Sequence, residues 1–477
     1  MNRRSFLNSA TRISASLALL PAVQSWASRE TLVSIRLRHA DPTVYIPADF
    51  IGFGYEMSSV ASIGLLSVTN RKYVRLVRNL GRKGVFRVGG IVADFTRYQP
   101  EGSAVSEPKN TIVTRASLEQ FHAFLKQTGW TAIWSLNFGR GSLDDAVVEA
   151  KDVAEVLGAS LKAIEIGNEV ENYGRGEKPL RKPPYSYETF RTEYETWHAA
   201  ITKAVPNIRY AAPDTAASTE WVERMASDPR GEVQLLTTHY YRGGQRQGTA
   251  EQLNYADPDL KAKLIRLRRA SQDSGIPWRM CETNSFFGGG RPGVSDTLAG
   301  ALWTLDYMLL LAQYGCAGVN IETGMNQLGF ISSYSPIQDN GKGVNMAGVP
   351  YYGMLAYVSA LSNARGVMPA DVDTRGINLS IYILGSGNKP RAVVAVNRDS
   401  SRDAHLSLTE LGMSNMNVLR LLSPLPDDTR RVTFGGASVD EDGRWRPSVV
   451  ERIHQGRVLV LRMSAIVIHS ADSHVPT

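Results

Sequence analysis

The sequence predicts an α/β fold, a (β/α)8 barrel with a C-terminal antiparallel β-sandwich domain, and three observations lead there. From residue 49 onward, eight short apolar, β-leaning runs alternate with stretches of helical spacing, the pattern of parallel strands joined by crossover helices. From about residue 366 the texture changes to short β-type runs bounded by Gly, Asn, Asp and Pro, as antiparallel sheets read. Two of the eight runs end at a glutamate, Glu169 and Glu282, and the C-terminal ends of barrel strands are where such folds keep their working groups.

The extreme N-terminus stands apart. Arg3-Arg4 precede Phe6-Leu7, the run ISASLALLPAV is apolar, and Ser25-Trp26-Ala27 offers a small-x-small cleavage site. Residues 1–28 therefore predict an export signal, twin-arginine-like, and a periplasmic or extracellular protein. A basic, unstructured N-terminus is the alternative. Residues 31–40 alternate Val33, Ile35 and Leu37 with Ser34, Arg36 and Arg38, a period of two that predicts a strand with one buried face. Because it precedes the first barrel strand, the segment 29–46 is assigned to the β-domain. The chain would enter that domain, leave to build the barrel over 47–365, and return for 366–477.

The barrel strands are predicted over 49–57, 84–90, 131–138, 161–169, 208–214, 233–241, 277–284 and 317–324. Helical spacing lies between them over 71–80, 118–127, 146–157, 187–204, 259–274 and 296–313. A doubly wound open sheet is the structural alternative. It wants a glycine-rich phosphate loop after its first strand, and GFGYEM lacks the third glycine. In the β-domain the runs are 377–384, 391–399, 404–411, 418–424, 431–439 and 456–471.

Composition narrows the function. With 43% hydrophobic and 21% charged residues the chain fits a soluble globular protein, and no apolar run reaches the roughly 18–20 residues of a membrane span. Removing Arg3, Arg4 and Arg12 with the signal lowers the formal charge from +7 to +4. That mild excess suits an anionic glycan and is too weak to argue for nucleic acid. Cys281 and Cys316 sit in apolar surroundings and read as buried thiols. No CxxC or His-rich spacing suggests a metal.

Glu169 and Glu282 end the predicted fourth and seventh strands, which face each other across the rim of a closed eight-stranded barrel. Two carboxyl groups roughly 5–5.5 Å apart are what a retaining glycosidase uses, one as nucleophile and one as general acid/base. Their proton affinities must be pushed apart. Glu56 ends the first strand and is either a sugar contact or a salt-bridged rim residue. Tyr240 or Tyr241 would bond the nucleophile, or both would pack over the barrel mouth. His239 reads as a hydrogen-bonded core or rim residue rather than a base. Trp134, Asn137 and Trp278 would be sugar platforms or packing residues. The turn Gly288-Gly289-Gly290 can bring backbone N–H groups close to an anion. Basic loop residues, among them Arg175, Arg181, Arg242 and Arg291, suit an acidic substrate or a merely solvated surface.

The stretches IEIGNE, CETNSFFGGG with VSDT, and LDYMLLLAQYG resemble glycoside hydrolase family 79 of clan A, the family of exo-β-glucuronidases and heparanases, from GFGYEM to PYYGML. The resemblance implies retaining hydrolysis without a cofactor, with Glu169 as acid/base and Glu282 as nucleophile. It further implies that Asn168 bonds the sugar 2-hydroxyl and Glu56 the hydroxyls of the non-reducing end. Gly288 and Gly289, with tyrosine hydroxyls, would hold the glucuronate carboxylate. Here the sequence departs from the pattern of that family: Phe287 stands where its members usually carry tyrosine, removing a hydrogen bond worth about 1.5–3 kcal/mol. Tyr334 is the candidate replacement donor. The expected protein is a monomeric, exported exo-β-glucuronidase releasing glucuronic acid, or its 4-O-methyl form, from a glycan or glucuronide, without nucleic-acid or membrane partners. A heparanase-like endo enzyme, a clan relative acting on a neutral β-glycoside and a non-catalytic carbohydrate binder are the alternatives.

Overall fold

The computed structural model describes residues 32–324, 332–339, 345–413, 415–454 and 456–470. The predicted export signal lies outside the described residues. Eight strands, Gly52–Glu56, Val85–Gly89, Thr131–Leu136, Leu161–Ile166, Tyr210–Thr215, Leu235–Gly244, Trp278–Phe287 and Val319–Glu322, close into a barrel. Each pairs in parallel with the next in chain order, and the eighth pairs with the first. The predicted (β/α)8 barrel is thus the observed one. Its lower end is closed from inside by Arg279, whose Nε donates to Asn320 Oδ1 at 2.7 Å.

All six predicted helices are present, as Arg71–Asn79, Arg115–Thr128, Leu143–Leu157, Tyr187–Ala204, Pro258–Ser274 and Leu298–Gln313. Hydroxyl side chains start several of them; Thr114, Ser142 and Ser186 each accept a bond from a first-turn N–H. Helices outside that set include Thr219–Ser227 and Val349–Ala360, the latter buried on almost every side so that it shows no polar face to read.

The β-domain is two packed sheets. One holds Ala370–Asp373, Leu32–Leu37, Ala404–Ser407 and Arg457–Val460. The other is built on Gly366–Met368, Leu379–Ser386, Lys389–Asn397, Ser464–Ser470 and Met416–Leu422. The early strand Leu32–Leu37 lies antiparallel to Ala370–Asp373 and parallel to Ala404–Ser407, burying Val33 and Ile35 against Leu406, Val458 and Ile468. The run 431–439 yields only Thr433–Phe434, because Gly435 and Gly436 turn the chain at φ 58° and 71°. The larger sheet packs on helices Leu298–Gln313 and Val349–Ala360, and its Tyr382, Val394 and Leu419 belong to the same apolar core as the barrel.

Replacing Ile35 by Ala should cost about 2–5 kcal/mol and lower the midpoint of thermal unfolding. Replacing the neighbouring, outward-facing Arg36 should leave that midpoint unchanged.

Candidate active site

Alternation along the barrel strands puts every second side chain inside, and the upper layer of the interior is occupied by charged groups. Glu56 comes from the first strand, Arg87 from the second, Glu165 from the fourth, Asp214 from the fifth, His239 from the sixth, Glu282 from the seventh and Glu322 from the eighth. The fourth strand ends at Ile166; Gly167 at φ 94° then swings the chain over the rim. Glu169 adopts the left-handed conformation, φ 50° and ψ 45°, while its N–H donates to Asp214 O at 2.8 Å. A non-glycine residue in that region costs of order 1–3 kcal/mol and persists where its surroundings enforce it. Here the neighbouring strand does so.

Arg87 is fully buried and ties the layer together. Its Nε donates to Glu165 at 2.9 Å, Nη1 to Glu282 Oε2 at 2.9 Å, and Nη2 to both Asn168 Oδ1 at 2.8 Å and Asp214 at 2.5 Å. Tyr241 donates its hydroxyl to the other Glu282 oxygen at 2.9 Å. His239 lies with Nε2 3.0 Å from Asp214 and Nδ1 3.2 Å from Glu169. One oxygen each of Glu169 and Glu282 lies within 4.8 Å of the other and of the His239 ring nitrogen. The side chains of Glu169 and Glu282 are 30% and 12% exposed, whereas Glu165 and Asp214 are sealed. Glu169 and Glu282 are therefore the pair open to a substrate. A metal ion would have to displace Arg87 or strip His239, because these same groups already face its possible ligands.

The protonation pattern follows from burial and from the two cations. Burial and the nearby Glu282 carboxyl push Glu56 up to about 8. Burial, Glu282 and Glu56 push Glu322 well above the usual carboxyl range. Burial also favours neutral Asp214, but Arg87 and His239 outweigh it and hold the group at about 2. Burial disfavours the His239 cation, and the carboxyls of Asp214 and Glu282 override that, raising it well above 6.5. Each ring nitrogen of His239 thus faces a carboxylate that favours its protonated form.

Most of the residues singled out in the sequence converge here. Glu56 accepts from the Val92 N–H at 2.8 Å, beside Gly90, whose φ of 68° and closeness leave no room for a side chain. Asn168 is buried against Arg87. Gly288 and Gly289 are left-handed, and Gly289 O accepts from Ser333 Oγ at 3.1 Å and from the Tyr334 N–H at 3.4 Å. This anchors the turn to the loop carrying Tyr334, whose ring stacks on Tyr241 at 6.4 Å. Phe287 is 58% exposed and meets Tyr241 only edge-on.

Tyr240 does not join the site. It points out of the barrel, donates to Asp257 at 2.6 Å and stacks on Tyr307, because it lies between the inward His239 and Tyr241. Trp134 and Trp278 are buried packing residues, the former bonded to Glu149, and Asn137 shapes its loop by binding Thr96 O. Arg181 is spent on Glu193 and the carbonyls of Phe138 and Gly139. Sequence reasoning passed over Arg87, Glu165, Asp214 and Glu322. Each is a charged residue inside or ending an apolar barrel strand, a signal present in GVFRVGG, AIEIG, IRYAAPD and AGVNIETG.

No family model and no curated protein matches this chain. Solved structures do. A 4-O-α-L-rhamnosyl-β-D-glucuronidase from Fusarium oxysporum 12S superposes with a TM-score of 0.75 at 17% identity, covering 91% of this chain and 100% of that one. The same fold is shared. An α-L-arabinofuranosidase from Thermotoga maritima gives 0.68 at 13% identity over 92% and 99% of the two chains. A GH39 enzyme from Xanthomonas axonopodis pv. citri gives 0.58 at 14% identity over 94% and 99%.

Stability should register the buried acids. Glu56 holds its proton in the folded state up to about 8 but releases it near 4.5 when unfolded, so folding loses stability as pH rises through that interval. Glu56→Gln should flatten this decline, seen as a smaller drop in the thermal midpoint between pH 5 and 8 than in the unaltered protein.

Proposed function

We propose that this protein is a retaining glycoside hydrolase of clan A, and within it an exported exo-β-glucuronidase of family 79 type that acts on a glucuronic-acid-containing glycan or glucuronide. The observation that carries the reading is the approach of the Glu169 and Glu282 carboxyl oxygens to within 4.8 Å at the C-terminal rim of the barrel. That spacing fits one carboxyl on each side of a single anomeric carbon, with no room for the water that an inverting enzyme places between them.

In the first step Glu169 gives its proton to the glycosidic oxygen as the C–O bond breaks, and a Glu282 oxygen bonds to the anomeric carbon. In the second, Glu169 takes a proton from water, the water oxygen bonds to that carbon, and the Glu282 ester breaks. His239, donating to Glu169, stabilises the carboxylate left after proton transfer. Tyr241 and Arg87 fix the two Glu282 oxygens. Because Asn168 Oδ1 is taken by Arg87, its NH2 group is the part free to reach the sugar 2-hydroxyl.

The uronate part of the reading is supported by the left-handed glycine turn, by Tyr334 beside it, and by the glucuronidase named among the structural neighbours. A neutral β-glycoside is the second reading, favoured by Phe287, which is exposed and offers no hydroxyl.

A chromogenic β-glucuronide assayed against the matching β-glucoside separates the two; turnover of the glucoside alone would reject the uronate reading. Glu169→Ala should cut kcat/KM by ~10²–10⁴ for poor leaving groups and far less for activated aryl glycosides, with azide restoring part of the second step. Equal losses on both substrate types and no rescue would remove Glu169 from the acid/base role.

A further inference from the structure

Outside the barrel wall, where the sixth strand and helices Pro258–Ser274 and Leu298–Gln313 meet the β-domain, lies a cavity of about 830 Å³. This is within the range of roughly 300–1,000 Å³ common for ligand sites, which favour domain junctions. Trp303, Tyr307 and Tyr240, buried and stacked on one another at 4.7 and 5.5 Å, back its wall, and Tyr255, 57% exposed, stands at the mouth.

Its charges are unbalanced. The three acids that line it are each matched: Asp41 with Arg38 at 3.1 Å, Asp257 with Arg242 at 3.5 Å, and Asp306 with Arg398 at 3.0 Å. Lys261 and Arg268 also line it and have no carboxylate within 4.0 Å among the described residues. They stand seven positions, two turns, apart on one helix and so share a face. Arg398, 7% exposed, keeps a buried Nε without a hydrogen-bond partner.

We propose that this cavity is a second, non-catalytic binding site for an acidic oligosaccharide. Tyr255, the exposed ring at the mouth, can pack against the C–H face of a pyranose ring, while Lys261 and Arg268 meet carboxylates along the chain. The volume admits more than one ring. The site would hold a polymer on the enzyme while the barrel mouth works at a chain end. That role rests on the proposed hydrolase reading, whereas binding here needs neither Glu169 nor Glu282.

Isothermal titration of full-length protein carrying Glu282→Gln tests it with two probes, a β-1,4-linked tetraglucuronate and cellotetraose, which differ only at C6. Tetraglucuronate should fill a site that the double variant Lys261→Glu/Arg268→Glu weakens by about tenfold or more, and that rising salt weakens too. Tyr255→Ala should weaken it without changing the salt response. In the otherwise unaltered enzyme the double variant should leave kcat/KM for a small chromogenic substrate within about twofold. Binding that the double variant leaves unchanged, or equal binding of cellotetraose at that site, would overturn the proposal.

Discussion

The buried guanidinium of Arg87 is the constraint on which the rest of the site depends. It comes from the second strand, yet it touches groups delivered by the fourth, fifth and seventh. Only arginine offers several donors in a rigid planar fork, and here they reach Glu165, Asn168, Asp214 and Glu282. The position of Glu282 is therefore set across the barrel as well as along its own strand. A charge so deep is tolerable only when fully matched. The barrel must be closed, in register, for that match to exist, so closure of the fold and assembly of the site are one event.

Asp214 connects this cation to the second one. It accepts from Arg87 on one oxygen and from His239 on the other, and its backbone carbonyl holds the Glu169 N–H. The outer acids behave differently. Burial and the neighbouring Glu282 raise the proton affinity of Glu56 and Glu322, and Glu56 raises that of Glu322 further. Several carboxyl groups thus line the top of the barrel without presenting a matching number of negative charges.

The strands were legible because barrel strands buried on both faces read as short apolar runs between turn residues. Glu169 and Glu282 were legible for the same reason, as charges where such a run stops. The direction of Tyr240 against Tyr241 was not. Alternation says only that the two face opposite ways; which one faces in depends on the register of the strand pair, and that shifts where the seventh strand carries Cys281 as an extra residue opposite Thr238 and His239. Arg87 was hidden by the opposite prejudice: a single charge inside an apolar run reads as an interruption until a closed barrel supplies four partners. The helix Val349–Ala360 escaped because periodicity needs a solvent face, and the β-domain covers the one it would have shown.

That covering links the two domains to the chemistry. Helix Leu298–Gln313 connects the seventh strand to the eighth and is buried along nearly its whole length. Alone on the barrel it would expose apolar surface that water penalises; the larger β-sheet takes it, and the buried pair Asp306–Arg398 with the Tyr382 hydroxyl fixes the seam. The strands so backed are those that carry Glu282 and Glu322. The opposite side of the barrel, which carries Glu169, is lined by amphipathic helices facing solvent and needs no such support. The β-domain is thus a buttress for the Glu282 half of the site, and the early strand Leu32–Leu37 completes the sheet packed against its far side.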